Sequence, residues 1–337
     1  MTDRFDPQTA LYFRRLATIT IFAIYLLILV GGIVRASGAG MGCPDWPTCF
    51  GQWIPPTDEA QLPANYHQLY ADRGYKDTQF NAFKTWTEYV NRLCGVAIGI
   101  LIFMTAVASR TYRKTDNTVF YLSLTAFFLV GFQGWLGSTV VASNLKPVII
   151  TLHMLLAWFL VSLLIYTALR SQRNFIATLD SNDLPAKFNT VLMVAMAILL
   201  LQVAMGTQIR QAVDVLANTK DSTGQLVAMD RAYWRESFPI VFYVHRSFSS
   251  LILFTNSWLV WQLYRTYRGR VMFLQRSSLA LMVCIITAIL AGVSLDRLGM
   301  PAVAQPLHLL MANLIFGAQF SVLMYLRYAT RKSGSGK

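Results

Sequence analysis

Charge is scarce in this sequence, and negative charge is scarcest. Only 13% of the 337 residues are charged, and 16 acids stand against 29 bases. A soluble domain carries about 25% charged residues, so an ordinary water-facing surface is excluded. No cleavable signal peptide is expected before the first apolar run. Asp3 and Asp6 disfavour an Arg-rich, acid-poor mitochondrial presequence. The bases are also split among separate short segments, which weighs against nucleic acid as a partner. What fills the chain instead is apolar sequence, 55% of it, in recurring runs of about 20 residues that mark a membrane protein. Eight spans are expected, near residues 16–35, 86–108, 119–141, 148–169, 189–208, 239–263, 277–295 and 303–326.

The placement of the bases predicts an orientation. One set of segments carries Arg4, Arg14, Arg15; Arg110, Arg113, Lys114; Arg170, Arg173, Lys187; Arg265, Arg268, Arg270, Arg276; and Arg327, Arg331, Lys332, Lys337. Their acids are Asp3, Asp6, Asp116, Asp180 and Asp183. The opposite loops hold the two signs about equally. By the positive-inside rule both termini are expected in the cytoplasm, in a bacterial inner membrane.

The chain also says nearly the same thing twice. Tyr89-Val90-Asn91-Arg92 returns as Tyr243-Val244-His245-Arg246, and the stretch from Lys146 through His153 to Ala157 returns from Met300 through His308 to Ala312. The offsets are 245 − 91 = 154 and 308 − 153 = 155. The expected fold is therefore an all-α transmembrane protein of two pseudo-twofold-related four-helix bundles. Four spans per half make the repeat parallel, about an axis along the membrane normal. Residues 1–169 form the first bundle, 170–188 a cytoplasmic linker and 189–337 the second bundle. Long outer loops cover 36–86 and 211–238, and loops of that size are usually functional.

Three of the four histidines, His153, His245 and His308, fall inside spans, where an ionisable side chain needs a partner. Each alone reads as an interhelical hydrogen bond. Together with Asn91 they sit about five or six residues after the outer ends of spans 2, 4, 6 and 8, roughly 8–9 Å deep at 1.5 Å per residue. Two imidazoles on facing helices at one level suit the axial positions of a haem iron between the helices of a bundle. The second half offers such a pair, His245 with His308, and the first offers His153 facing Asn91. No Cys-x-x-Cys-His occurs, so a haem here would be non-covalent.

Arg92 and Arg246 follow two of these positions, and Arg35 and Arg210 end spans 1 and 5. Haem propionates would pair with them, and snorkelling to the interface is the plainer reading for Arg35 and Arg210. Arg92 and Arg246 are expected to lie deeper. Glu88 shares a helix face with Asn91 and Arg92, and the second half has Phe242 in its place. It reads either as an ion-pair partner of Arg92 or as a proton acceptor. Cys43 and Cys49 in the first outer loop are disulfide candidates, structural or redox-active. Cys94 and Cys284 read as packing residues and His67 as incidental, while Gln133, Trp135 and Gln202 are expected to line bundle interiors.

At this point the chain resembles the haem A synthases, membrane enzymes that convert haem O to haem A. The residues that carry the resemblance are Gly-Gly-Ile-Val-Arg at 31–35, Cys43-Pro-Asp-Trp-Pro-Thr-Cys49, Glu88-Tyr-Val-Asn91-Arg92, Gln133-Gly-Trp-Leu-Gly137, Val244-His245-Arg246 and the spans of His153 and His308. The resemblance implies substrate haem O in the first bundle on iron ligand His153, with Asn91, Arg92 and Arg35 around it and Glu88 as the essential acid. It implies haem b in the second bundle on iron ligands His245 and His308, with Arg246 and Arg210 toward the propionates. One methyl group of haem O would become a formyl group through hydroxylated intermediates, with haem b relaying electrons for cytochrome oxidase cofactor biogenesis. An electron donor and the farnesyltransferase that makes haem O are the implied partners. Histidine is usual where this chain has Asn91, and the implied consequence is a five-coordinate or water-ligated substrate iron. A di-haem electron carrier and a haem carrier without chemistry are the competing readings.

Overall fold

The computed structural model describes residues 7–76, 78–178, 184–185, 187–217 and 237–329. Eight long helices dominate the described residues: α1 (Pro7–Ala36), α2 (Ala82–Ala108), α3 (Asn117–Ala142), α4 (Pro147–Arg170), α5 (Phe188–Ala217), α6 (Ile240–Tyr267), α7 (Met272–Arg297) and α8 (Ala304–Ala329). The only β-pairing among them is an isolated bridge between Cys49 and Gln52. At 24 to 30 residues each helix is about 36–45 Å long, enough to cross a hydrocarbon layer of about 30 Å. Seven are also apolar enough to do so. The exception is α6, whose length suffices but whose interior holds His245, Arg246, Ser247, Ser249, Ser250 and Asn256. The residues that made this segment interesting in sequence are those that dilute its apolarity.

The helix ends differ from the expected spans for local reasons. Asn81 caps α2 by accepting from the Lys84 N–H at 3.0 Å, which starts the helix four residues early. α5 runs on to Ala217, its polar last turns joined by the Arg210–Asp214 pair at 3.0 Å. Asn91, His153, His245 and His308 therefore lie nine, six, five and four residues after the first residues of their helices (91 − 82, 153 − 147, 245 − 240, 308 − 304). The uniform five or six expected is not kept, because local sequence sets the helix starts, as the Asn81 cap does for α2 and Pro147 for α4. Residues 218–236 of the second long loop, and Asp3, Arg4, Asp6, Asp180, Asp183, Arg331, Lys332 and Lys337, lie outside the described residues.

The chain divides into two compact units, residues 1–173 with 305–310, and 174–304 with 311–337. In the first, α1 packs on α2, α2 on α3, α3 on α4, and α4 returns to α1, closing a four-helix bundle. Thr20 and Thr105 meet at 3.0 Å inside it. At one end Arg170 grips Asp116 through Nε at 3.0 Å, with Arg173 on the same carboxylate at 3.3 Å. In the second unit α5 packs on α6 and α6 on α7. Gln319 of α8 donates to Asn256 of α6 at 2.6 Å with neither residue exposed, the kind of polar bond that joins helices in a membrane.

Two connections are built alike. Leu145 N–H reaches back to the Val140 carbonyl at 2.9 Å, across a left-handed Asn144 (φ 54°). Met300 N–H reaches back to the Leu295 carbonyl at 3.3 Å, across a left-handed Gly299 (φ 70°). Both are Schellman closures, and each residue of one maps onto the other by adding 155 (140 to 295, 145 to 300). Leu145 and Met300 themselves have positive φ, 60° and 61°, which bulky residues rarely adopt.

Candidate active site

The first turns of α2 place Thr85, Glu88 and Arg92 on one face, at spacings of three and four. The 37–81 loop is laid directly on that face. Gly42 permits the approach: a Cβ there would stand 2.4 Å from the Lys84 carbonyl oxygen and 2.8 Å from the Thr85 nitrogen, so no side chain fits. Thr85 Oγ1 donates to the Gly42 carbonyl at 2.9 Å. The next residue, Cys43, donates its N–H to Glu88 Oε2 at 2.9 Å.

Glu88 is 3% exposed. Its other oxygen accepts from Arg92 Nη2 at 2.5 Å. Arg92 then spends its remaining donors on the loop: Nη1 on the carbonyls of Asp45 (2.7 Å) and Thr48 (2.9 Å), and Nη2 on that of Cys43 (3.1 Å). Those carbonyls come from the short ring that the Cys43–Cys49 disulfide closes. Asp45 organises the ring from within, accepting from the Phe50 N–H (2.6 Å), the Gly51 N–H (2.8 Å) and the Thr48 hydroxyl. Arg92 thus finds its anion within the chain, and the arrangement holds one carboxylate out of water in a fixed orientation.

The loop has a small core of its own. Phe50 makes edge contacts with Tyr66, Tyr70, Tyr75 and Phe80 at centroid distances of 5.2 to 6.4 Å. The Tyr75 hydroxyl donates to the carbonyls of Met41 (2.8 Å) and Gly42 (3.2 Å), so the aromatic core fixes the segment that covers Glu88. His67 belongs to this core, with Nδ1 at 2.7 Å from the Tyr75 carbonyl. Tyr89 ties α2 to the loop again, donating to the Trp53 carbonyl at 2.6 Å.

Burial, and then the charge of Glu88, push the Tyr75 phenol above its ordinary value of 10.0. A raised value means the folded loop prefers the neutral phenol. The stabilisation is complete below about pH 10 and is lost as the pH climbs toward the folded value. Limited proteolysis between pH 8 and 12 should show the loop resistant up to about pH 10 and progressively cut above it. In Tyr75→Phe that rise in cutting should be blunted.

The other predicted residues fall into two groups. In the first bundle, Asn91 Oδ1 lies 3.8 Å from where a Gly31 Cβ would be, and His153 Cε1 lies 3.3 Å from the same point at Gly137. Asn91 Oδ1 and His153 Nδ1 are buried with no hydrogen-bond partner among the described residues. Gln133 Nε2 donates to the His153 carbonyl at 2.9 Å. Arg35 ends α1, partly buried. In the second unit, Gln202 Nε2 donates to the His245 carbonyl at 2.7 Å, and His245 Nδ1 lies 3.1 Å from the Gln202 carbonyl oxygen. His308, in the second turn of α8, falls in the segment 305–310 that groups with the first unit.

Two expectations change. The Arg246 and Arg210 side chains are 52% and 24% exposed. Both are neutralised by protein carboxylates that the expected spans had left in loops, Arg246 by Asp296 at 3.7 Å and Arg210 by Asp214. Trp135 does not line a bundle interior: it is 56% exposed and stacks on Phe132 at 5.2 Å. Sequence reasoning missed Gly42, Asp45, Thr85 and Tyr75. A signal existed for Asp45, an acid flanked by proline and tryptophan between two cysteines. None existed for Thr85, whose partner is a backbone carbonyl 43 residues away.

These features define a multi-pass helical membrane protein with a sequestered carboxylate under a disulfide-closed loop. The chain belongs to the COX15-CtaA family of cytochrome oxidase assembly proteins, whose model matches residues 14–320. Heme A synthase of Shewanella oneidensis is 32% identical over 167 residues, 50% of this chain and 48% of that protein. Heme A synthase of Azorhizobium caulinodans is 28% identical over 248 residues, 68% and 70% of the two chains. This chain thus matches about half the length of the first of these relatives and more than two thirds of the second.

Proposed function

We propose that this protein is a haem A synthase, oxidising one methyl group of haem O to a formyl group through hydroxylated intermediates. The observation that carries the reading is Glu88, buried and clamped in a bundle that also holds His153. The family and the names of its relatives support it. The proposed architecture is eight spans in two related four-helix bundles, supported by the Schellman closure that recurs 155 residues on. Both termini face the cytoplasm of a bacterial inner membrane.

The first bundle's residues fit a porphyrin substrate. His153 offers iron a ligand whose Nδ1 has no partner among the described residues, and Asn91 brings a second such polar atom, suited to hydrogen-bond the sixth ligand. Asparagine is a poor iron ligand, which leaves an open position for oxidation. Glu88 accepts the proton or steadies the positive charge that methyl oxidation produces, and the loop above it excludes water. Arg92 holds the carboxylate in place, and Arg35 pairs with a propionate.

The surroundings of His245 fit a ligand of a resident haem b. His245 Nδ1 faces a carbonyl oxygen, which can only accept, so Nδ1 carries the proton and Nε2 keeps the lone pair that iron takes. His308 is the second ligand in this reading. Bound haem b supplies one-electron transfer to the substrate site. Arg246 and Arg210 exchange their carboxylate partners for propionates.

Expression in a host that accumulates haem O tests the reading. Pigment extraction followed by chromatography should yield haem A or its hydroxylated precursor. Recovery of unchanged haem O from a protein loaded with both haems would leave an electron or haem carrier instead.

A further inference from the structure

Two histidines rest on the same support, built once in each unit. On α3, Gln133 bonds the backbone of His153 and Gly137, one turn on, abuts its ring. On α5, Gln202 bonds the backbone of His245 and Gly206, one turn on, abuts its ring, with a Cβ position 3.6 Å from Cε1. In both cases the ring's Cε1 is turned toward the neighbouring helix. The two supports differ at one atom. His245 Nδ1 donates to the Gln202 carbonyl at 3.1 Å, whereas His153 Nδ1 is buried without a partner among the described residues.

We propose that this single hydrogen bond sets how firmly each histidine holds its porphyrin: His245 is a locked ligand and His153 a releasable one. The inference rests on the reading of both as iron ligands. A ligating imidazole that donates its other N–H to a carbonyl is fixed in tautomer and orientation and becomes a better donor to the metal, and losing such a partner costs about 10–100-fold in metal affinity. His245 has this support from a backbone carbonyl, which no side-chain substitution removes. His153 has the glutamine and the glycine but not the acceptor, so its ring is placed without being locked. An enzyme that turns over one haem and keeps another needs that asymmetry. Gln133 and Gln202 are positioning residues here, and neither touches the iron. Gly137 is the more exacting of the two glycines, since a Cβ there would stand 3.3 Å from the ring against 3.6 Å at Gly206.

Transfer of haem to apomyoglobin tests this without reference to turnover. The full chain in lipid nanodiscs is loaded with protohaem in both sites, so the two cargoes are chemically identical. Transfer should be biphasic, with rates about tenfold or more apart. Gly137→Ala should speed only the fast phase, and Gly206→Ala should leave that phase unchanged. A single phase, or a fast phase that responds to Gly206→Ala and not to Gly137→Ala, overturns the proposal. The wild-type rates stand even if a variant fails to assemble. A chain that takes up no protohaem at all overturns the haem reading and this inference with it.

Discussion

Replacing Glu88 with glutamine is expected to cut conversion of haem O by about 10²–10⁴-fold, the range for loss of a positioned acid–base group, while haem b stays bound. The substitution separates two roles of this residue. As an anchor, the side chain accepts from the Cys43 N–H; a glutamine carbonyl accepts equally well, and Arg92 keeps the carbonyls of Cys43, Asp45 and Thr48. The loop should therefore remain docked. As a chemical group, the carboxylate is lost. Haem content by pyridine haemochrome, products by chromatography and loop docking by limited proteolysis are measured on one preparation. Full activity in a docked variant would remove Glu88 from the chemistry and leave it an ion-pair partner of Arg92. Comparison with Glu88→Ala adds the anchoring contribution, because alanine abandons both bonds.

The sequence made some of this legible and hid the rest, for reasons of range. Eight apolar spans were readable because composition alone reports them, and among the described residues seven of the eight long helices are apolar enough to cross a membrane. The Glu88–Arg92 pair was readable because its residues are one helical turn apart. Cys43 and Cys49 were readable as a pair because six residues separate them. What lay beyond reach was the docking of the loop on α2. Its bonds join residues 43 to 49 positions apart through backbone carbonyls and amides, and backbone groups leave no residue-type signal. The same holds for His245, whose decisive partner is the carbonyl of Gln202. The carboxylate partners of Arg210 and Arg246 were missed because Asp214 and Asp296 were assigned to loops. Helices lengthened by a few residues carry those acids within reach of Arg210 and Arg246.

Gly42→Ala is expected to dislodge the loop, and its effect should rival the loss of Glu88. The glycine is needed for space. A methyl group at this position would stand 2.4 Å from the Lys84 carbonyl oxygen, 2.6 Å from its carbon and 2.8 Å from the Thr85 nitrogen. All three are backbone atoms in a regular helix, so no rotamer change relieves the clash, and the loop must lift. Overpacking typically costs about 1–3 kcal/mol, and here it falls on the segment that supplies the Cys43 N–H to Glu88 and the carbonyls to Arg92. Lifting it should expose the carboxylate and break the Tyr75 bonds to Met41 and Gly42 together. The expected results are rapid proteolytic cutting between α1 and α2, faster reduction of the Cys43–Cys49 bond and a fall in haem O conversion approaching that of Glu88→Gln, with haem b retained. Gly95→Ala is the matched control, because that glycine sits in the middle of α2 with open space around its Cβ position. It should leave the loop closed and, as an alanine in a helix, be neutral or stabilising by up to about 1 kcal/mol. A Gly42→Ala protein that resists protease like the wild type would mean that the loop does not rest on α2 in this way, and the enclosure of Glu88 would go with it.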